Sequence, residues 1–196
     1  MANDTRERIL NAALTSFAEN GYEGTNLLDV AKSVGIVKSA IYRHFSGKED
    51  LWNAVIDSME KYYDAKFGSA QNLPKVPQSG AELVTMTMHM VDFTMHDSSV
   101  IKTRKLLLME QFRDERIKEL ATKHFLTGLE AMFAEVFKGM MANGSLKKDD
   151  PKMLALAYTA PISSLIHLCD REPEKEKEVL KTIKEFAKHF VKTYEV

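Results

Sequence analysis

Between Asn26 and Phe45 the chain reads NLLDVAKSVGIVKSAIYRHF, and no other stretch narrows its folding choices so far. Leu27, Val30, Ala31 and Val34 recur at three- and four-residue spacing, the period of one face of a helix. Asn26 stands in front of them as a helix cap, Asp29 follows at the third helical position, and Gly35 ends the run. After two residues a second short helix is predicted to run to about Phe45, with Ile41 and Phe45 inward. Two short helices joined at Gly35-Ile36, the second presenting Lys38, Tyr42 and Arg43 outward, describe a helix-turn-helix. That motif lays its second helix in the major groove of DNA.

Residues 30–48 carry Lys32, Lys38, Arg43, Lys48 and His44 without one Asp or Glu, in a chain with 27 Lys+Arg against 28 Asp+Glu. A formal charge of −1 excludes a global polycation, so a nucleic-acid partner has to be met by a local patch. An acid-free patch has a physical cause: a carboxylate there would face phosphates, whereas each Lys or Arg that neutralises one releases condensed counterions. Taken singly, Lys32 reads as a solvated face, Tyr42 as a packed aromatic, and His44 means little. Their order and spacing together carry the DNA-binding reading.

The rest of the chain predicts an all-α protein. Asp4 and Glu7 form a capping box before Ile9, Ala13 and Phe17, and Asn20-Gly21 stops that helix. Ser46 and Glu49 open a further helix through a second capping box, with Leu51, Val55 and Met59 as its apolar stripe. Two prolines and a glycine make residues 69–80 the clearest linker. Further helices are expected at about 81–95, 100–113, 115–142, 151–169 and 173–194. Asn143-Gly144 ends the third of these, and Asp150-Pro151 opens the fourth by a cap with proline at the first helical position.

The single Cys169 excludes an internal disulfide and fits a reducing compartment. MANDTRERIL lacks the basic-then-apolar pattern of a secretory leader, so a cytoplasmic location is expected. The longest uncharged run, Met153 to Cys169, falls just under a bilayer span and contains Pro161, Ser163, Ser164 and His167. It reads as a helix covered by protein, with no membrane as partner, and a helix apolar nearly all round implies a partner chain.

FAENGYEGTNLLDVAKSVGIVKSAIYRHFSGKEDLWNAV resembles the N-terminal DNA-binding segment of the TetR family, the tetracycline-repressor-like transcriptional regulators. The resemblance rests on the Gly-Tyr turn, Thr25, Val30-Ala31, Gly35, Ile41-Tyr42, His44-Phe45, and Lys48 followed by Leu51. It covers the first quarter of the chain closely, and RKLLLMEQFRDERIKELATKHF and NGSLKKDDPKMLALAY more loosely. It implies an N-terminal helix-turn-helix three-helix domain at 1–48 and a helical regulatory, ligand-binding and dimerisation domain at 49–196. It further implies that Lys38, Ser39, Ala40, Tyr42, Arg43 and His44 face DNA, while Thr25 and Lys48 hold phosphates at helix starts; Asn26 is placed with this set. Val37 departs from the family's usual Ser or Thr at the recognition-helix cap, at a cost of roughly 0.5–2 kcal/mol of local helix stability. Ser39 replaces a frequent glycine.

Residues 81–141 hold eight of the chain's eleven methionines. Methionine fills irregular space and tolerates repacking, which suits a cavity for an apolar ligand, although each methionine singly reads as ordinary core. Met86, Met90, Phe93, Met109, Glu110, Phe112, Phe125, Met132 and His167 are the expected ligand-site residues. His89, Asp92 and His96 lie at i, i+3 and i+7, but a wet polar face explains them as well, so neither metal nor cofactor is expected. No nucleophile elbow, phosphate-cradling glycine loop or zinc-protease helix motif is present, and no catalytic residue is assigned. Ile183, Ala187, Phe190 and Tyr194, with Leu165 of the apolar helix before them, are the expected dimerisation residues, as the family resemblance also implies. The expected function is a ligand-responsive DNA-binding regulator, a homodimeric repressor released from a palindromic DNA operator by a small, largely apolar effector. The alternative is a helical small-molecule-binding or scaffolding protein without specific DNA binding.

Overall fold

The computed structural model describes residues 2–67 and 75–196. Their elements are α1 Ala2–Gly24, α2 Leu27–Val34, α3 Lys38–Ile41, α4 Lys48–Phe67, α5 Gly80–His96, α6 Ser98–Glu110, α7 Glu115–Thr122, a π-helical turn Lys123–Thr127, α8 Gly128–Ala142, α9 Pro151–Arg171, a 3-10 turn Pro173–Lys175, and α10 Glu176–Tyr194. The all-α expectation holds, with no strand among the described residues. Of the expected linker, 68–74 lies outside the described residues, and 75–79 is irregular.

The residues fall into two compact units. One comprises 1–66 with 98–121, so that α6 and α7 return to pack with the first four helices; the other comprises 67–97 with 122–196. The core of the first unit is built from Ile9, Ala13 and Phe17 of α1, Val30 and Ala31 of α2, Ile41 of α3, Leu51, Val55 and Ile56 of α4, and Leu106, Leu107 and Ile117, none more than 1% exposed. Trp52 meets Phe17 edge-on at 4.8 Å and Tyr22 at 5.1 Å. Each such buried side chain contributes about 1.5–3 kcal/mol of apolar transfer.

The core of the second unit is aromatic. Tyr158 lies 4.6 Å from Phe190, 5.4 Å from Phe133 and 5.5 Å from Phe137, and Phe137 stacks on Phe190 at 5.3 Å. The Tyr158 hydroxyl is 2.8 Å from that of Thr87, and burial pushes its pKa up to about 12. α9 is long and apolar enough to cross a bilayer by length and composition, and 33% of its most apolar window is buried inside the unit.

Several boundaries differ from expectation for identifiable reasons. α1 starts at Ala2, which moves Asp4 from cap to first turn, where a carboxylate still suits the helix dipole. The stop at Asn20-Gly21 is a kink, Gly21 adopting φ 70, followed by one more turn. α4 opens at Lys48, so its third residue is Asp50; that carboxylate, not Glu49, accepts from the Ser46 amide at 2.7 Å and hydroxyl at 3.2 Å. The single helix expected at 115–142 is interrupted by the π turn because the Gly128 amide donates to Lys123 O, five residues back. A Cβ on Gly128 would lie 2.6 Å from that oxygen, so only glycine permits the closure.

Candidate nucleic-acid interface

α2 and α3 meet at a tight turn. Asn26 Oδ1 caps α2 by accepting from Leu28 N at 2.8 Å, and Gly35, with φ 75, closes its far end by donating to Lys32 O at 3.0 Å. Ile36 N returns to Ala31 O at 3.0 Å, so the turn satisfies its own backbone. From α1, Arg8 donates to Val34 O at 2.7 Å and braces the same end of α2.

α3 is shorter than predicted, ending at Ile41. Val37 makes no side-chain cap, and the segment winds tightly instead: Ala40 N bonds Val37 O at 2.9 Å, Arg43 N bonds Ala40 O at 3.3 Å, and His44 N bonds Ile41 O at 2.9 Å. Such i to i−3 bonds satisfy backbone groups that an uncapped helix start leaves open. Ile41 and Phe45 are buried beneath it, with the Arg6 guanidinium 5.1 Å over the Phe45 ring. Lys38, Ser39 and Arg43 are exposed, Tyr42 is 51% exposed, and Ala40 and His44 are half-buried. Among the described residues Lys38 and Arg43 pair with no carboxylate, which leaves both charges for an anionic partner, whereas Lys32 is 3.6 Å from Asp29.

The two expected phosphate holders differ. Thr25 is 4% exposed, and its hydroxyl donates to Gly21 O at 2.9 Å while Ser16 Oγ lies 3.3 Å away. Its proton is committed to the kink, so in this conformation the hydroxyl offers no hydrogen to a phosphate oxygen, which only accepts. Lys48 is half-buried; its Nζ donates to Glu23 O at 3.2 Å and sits 4.6 Å over the Tyr22 ring, at the start of α4.

A polar clasp at 110–116 escaped the sequence reading. Glu110, expected at the ligand site, is 3% exposed and accepts from the Tyr22 amide at 3.1 Å. A Cβ on Gly21 would stand 2.5 Å from Glu110 Oε1, so the carboxylate in this position leaves room only for glycine at the kink. Asp114 accepts from Trp52 Nε1 at 3.0 Å and caps α7 through Ile117 N at 3.0 Å. Arg116 donates to Asp57, and to Glu60 at 2.8 Å; its hydrogen bonds to these carboxylates raise its pKa. Apart from the Asp114 cap, no local pattern announces these bonds, because their partners stand 56 to 88 residues away in sequence.

The other expected ligand residues divide between the units. Met109 and Phe112 accompany Glu110 in the first, 43% and 90% exposed. Met86, Met90, Phe93, Phe125, Met132 and His167 lie in the second. Met132 is core, and Met86 and Met90 are partly buried against that core. Phe125 meets His167 edge-on at 4.8 Å, and His167 Nδ1 is 3.6 Å from Asp170, beyond hydrogen-bond reach. His96 is bonded through both ring nitrogens, to Asp92 at 2.9 Å and Glu176 at 3.2 Å, so neither is available to a metal. Of the residues assigned to dimerisation, Ile183 and Ala187 are 0% and Phe190 5% exposed inside their own unit, and so have almost no area to offer a second copy. Leu165 and Tyr194 are half-buried. On α9 an apolar stripe is left open, where Met153 is 59% and Leu156 36% exposed, with Ala157 and Pro161 beside them.

A self-bonded turn, an apolar back and a cationic front with Tyr42 beside it make residues 26–45 a helix-turn-helix. Residues 9–55 match the family described as bacterial regulatory proteins, tetR family. The chain is 34% identical over 116 residues to the HTH-type transcriptional regulator AcrR of Shigella flexneri, an alignment covering 56% of this chain and 48% of that protein. It therefore spans about half the length of that relative. The fold is shared along the chain with a TetR-family regulator from Mesorhizobium loti, at TM-score 0.73, 20% identity and coverage of 100% and 99%. It is likewise shared with SmeT, the repressor of a Stenotrophomonas maltophilia multidrug efflux pump, solved with triclosan, at TM-score 0.73, 21% identity and coverage of 98% and 92%.

Proposed function

We propose that the protein is a ligand-responsive transcriptional regulator and not an enzyme: a cytoplasmic homodimer that represses from a palindromic operator and is released by a small, largely apolar molecule. The observation that carries this reading is the exposed, acid-free surface of Lys38, Tyr42 and Arg43 over buried Ile41 and Phe45. Lys38 and Arg43 supply counterion release and base contacts, and Lys48 adds a charge at a helix start. The uncovered stripe of α9 supports the dimer, since a two-fold partner would cover the same face on both copies. That SmeT is a repressor captured with triclosan supports an effector bound in the second unit, among Met86, Met90, Phe93, Phe125 and His167.

Communication with DNA would run through α4, joined to the reading segment by Ser46 and Gly47, and through the Glu110, Asp114 and Arg116 bonds that hold α1 and α4. Coupling of this kind amounts to about 1–3 kcal/mol, roughly 5- to 150-fold in affinity, and is reciprocal. The test is selection of bound duplexes from a random pool, followed by a salt titration. A palindromic site should emerge, with affinity falling by about 0.9 logarithmic units per decade of salt for each phosphate neutralised. Equal affinity for random DNA, or a flat salt response, refutes the reading.

A further inference from the structure

The first unit carries a pocket of about 250 Å³, open to the surface on one side and walled by one face of each of three helices. Leu10 and Leu14 of α1 and Val55 and Met59 of α4 form an apolar floor, each at most 8% exposed. Asn11, Ser58, Tyr62, Ser99 and Thr103 add amide and hydroxyl groups from α1, α4 and α6. The lining residues recur at helical spacing, i and i+4 on α1 and α6, and i, i+3, i+4 and i+7 on α4, so the cavity is a built seam between helices. It holds no Lys, Arg, Asp, Glu or His, and none of the DNA-facing residues.

We propose that this cavity is a binding site for a neutral, single-ring amphipath of the phenol type, separate from the effector region proposed for the second unit. Size sets the first limit: an apolar cavity of about 150 Å³ accepts benzene, so one of about 250 Å³ accepts a single substituted ring. Charge sets the second. An ion entering would give up its hydration with no opposite charge in the lining to replace it. The hydroxyl and amide groups satisfy one polar substituent, which would otherwise be buried at a penalty. An occupant touches α1, whose Arg8 braces α2, and α4, which follows the reading segment, and so stabilises the helix spacing that positions the DNA-facing surface.

The experiment titrates p-cresol into the full-length protein by calorimetry, with p-toluenesulfonate as the charged analogue of the same shape. At neutral pH p-cresol is uncharged, as a phenol with pKa about 10. One p-cresol per chain should bind, with the sulfonate weaker by at least about tenfold because its charge stays uncompensated. Ser58 is exposed, so Ser58→Trp should close the mouth and abolish binding, while Ser58→Ala preserves it. Asn11→Trp closes the cavity from α1 and serves if Ser58→Trp loses its helical signal. In methionine methyl NMR, Met59 should shift saturably while Met86 and Met90 stay. Binding that survives both tryptophan variants, equal affinity for the sulfonate, shifts at Met86 and Met90 without Met59, or no binding at millimolar p-cresol would overturn the proposal. None of these readouts involves an operator, so they stand apart from the regulator reading.

Discussion

The two units solve the problem of holding helices together with different chemistry. In the second, cohesion comes from rings: Tyr158 within about 6 Å of Phe133, Phe137 and Phe190, Phe137 stacked on Phe190, and one buried hydroxyl pair. In the first, an apolar core is tied at its rim by single, directional bonds, Glu110 to Tyr22 N, Asp114 to Trp52 and Arg116 to Glu60. Aromatic packing tolerates small adjustments, since ring pairs are favourable over a range of offsets and angles. A hydrogen bond is either within reach and aligned or lost. The unit that carries Lys38, Tyr42 and Arg43 is the one whose rim is tied by such bonds.

The largest expected effect tests the aromatic side of this contrast. Phe190→Ala should cost about 3–5 kcal/mol by opening a cavity in the core of the second unit. Chemical denaturation should show that loss in the transition of the second unit, with Trp52 fluorescence reporting the first nearly unchanged. Equal loss in both would mean that the units do not fold separately. Next comes Gly21→Ala, which places a Cβ against Glu110 and an alanine at φ 70. Left-handed backbone at a non-glycine residue costs about 1–3 kcal/mol before the collision is counted. Operator affinity should fall with it, and double substitution with Glu110→Gly should recover less than the full loss, because the Tyr22 amide then loses its acceptor.

Arg43→Ala should leave stability within about 0.5 kcal/mol, as an exposed substitution, and reduce operator affinity by about 1–3 kcal/mol. A stability loss of comparable size would show that Arg43 serves the fold. Tyr158→Phe should cost only about 0.5–1.5 kcal/mol. Thr87 keeps its own bond to Leu83 O at 2.9 Å, so no buried hydroxyl is stranded.

The smallest effect is a pH dependence in the second unit. The hydrogen bond to Glu176, opposed by desolvation and aided by Asp92, raises the pKa of His96 above 6.5. A raised folded-state value stabilises the protein fully below about pH 6.5 and loses that contribution as pH climbs through the folded value. With the ring 46% exposed, screening reduces it to a few tenths of a kcal/mol, about the scale of a surface pair. His96→Gln should flatten the stability profile between pH 6 and 8, and an unchanged profile would show that the Asp92 and Glu176 bonds do not survive in solution.

What the sequence by itself determined was whatever depends on neighbours a few residues apart. The helical class, the caps at Asn26 and Asp150, the break at Gly21, the turn at Gly35 and the cationic face of α3 all follow from local spacing and residue chemistry. Even the shortened α3 is foreshadowed by Val37, which has no oxygen with which to cap. Tertiary structure alone decided that α6 and α7 join the first unit and that Glu110 serves a kink 88 residues away. It decided likewise that Ile183, Ala187 and Phe190 line their own core while Met153 and Leu156 stay open. The physical reason is common to these cases. A periodic apolar face states that a helix has something to cover but not which neighbour covers it, and a carboxylate carries no mark of the distant amide it will accept from.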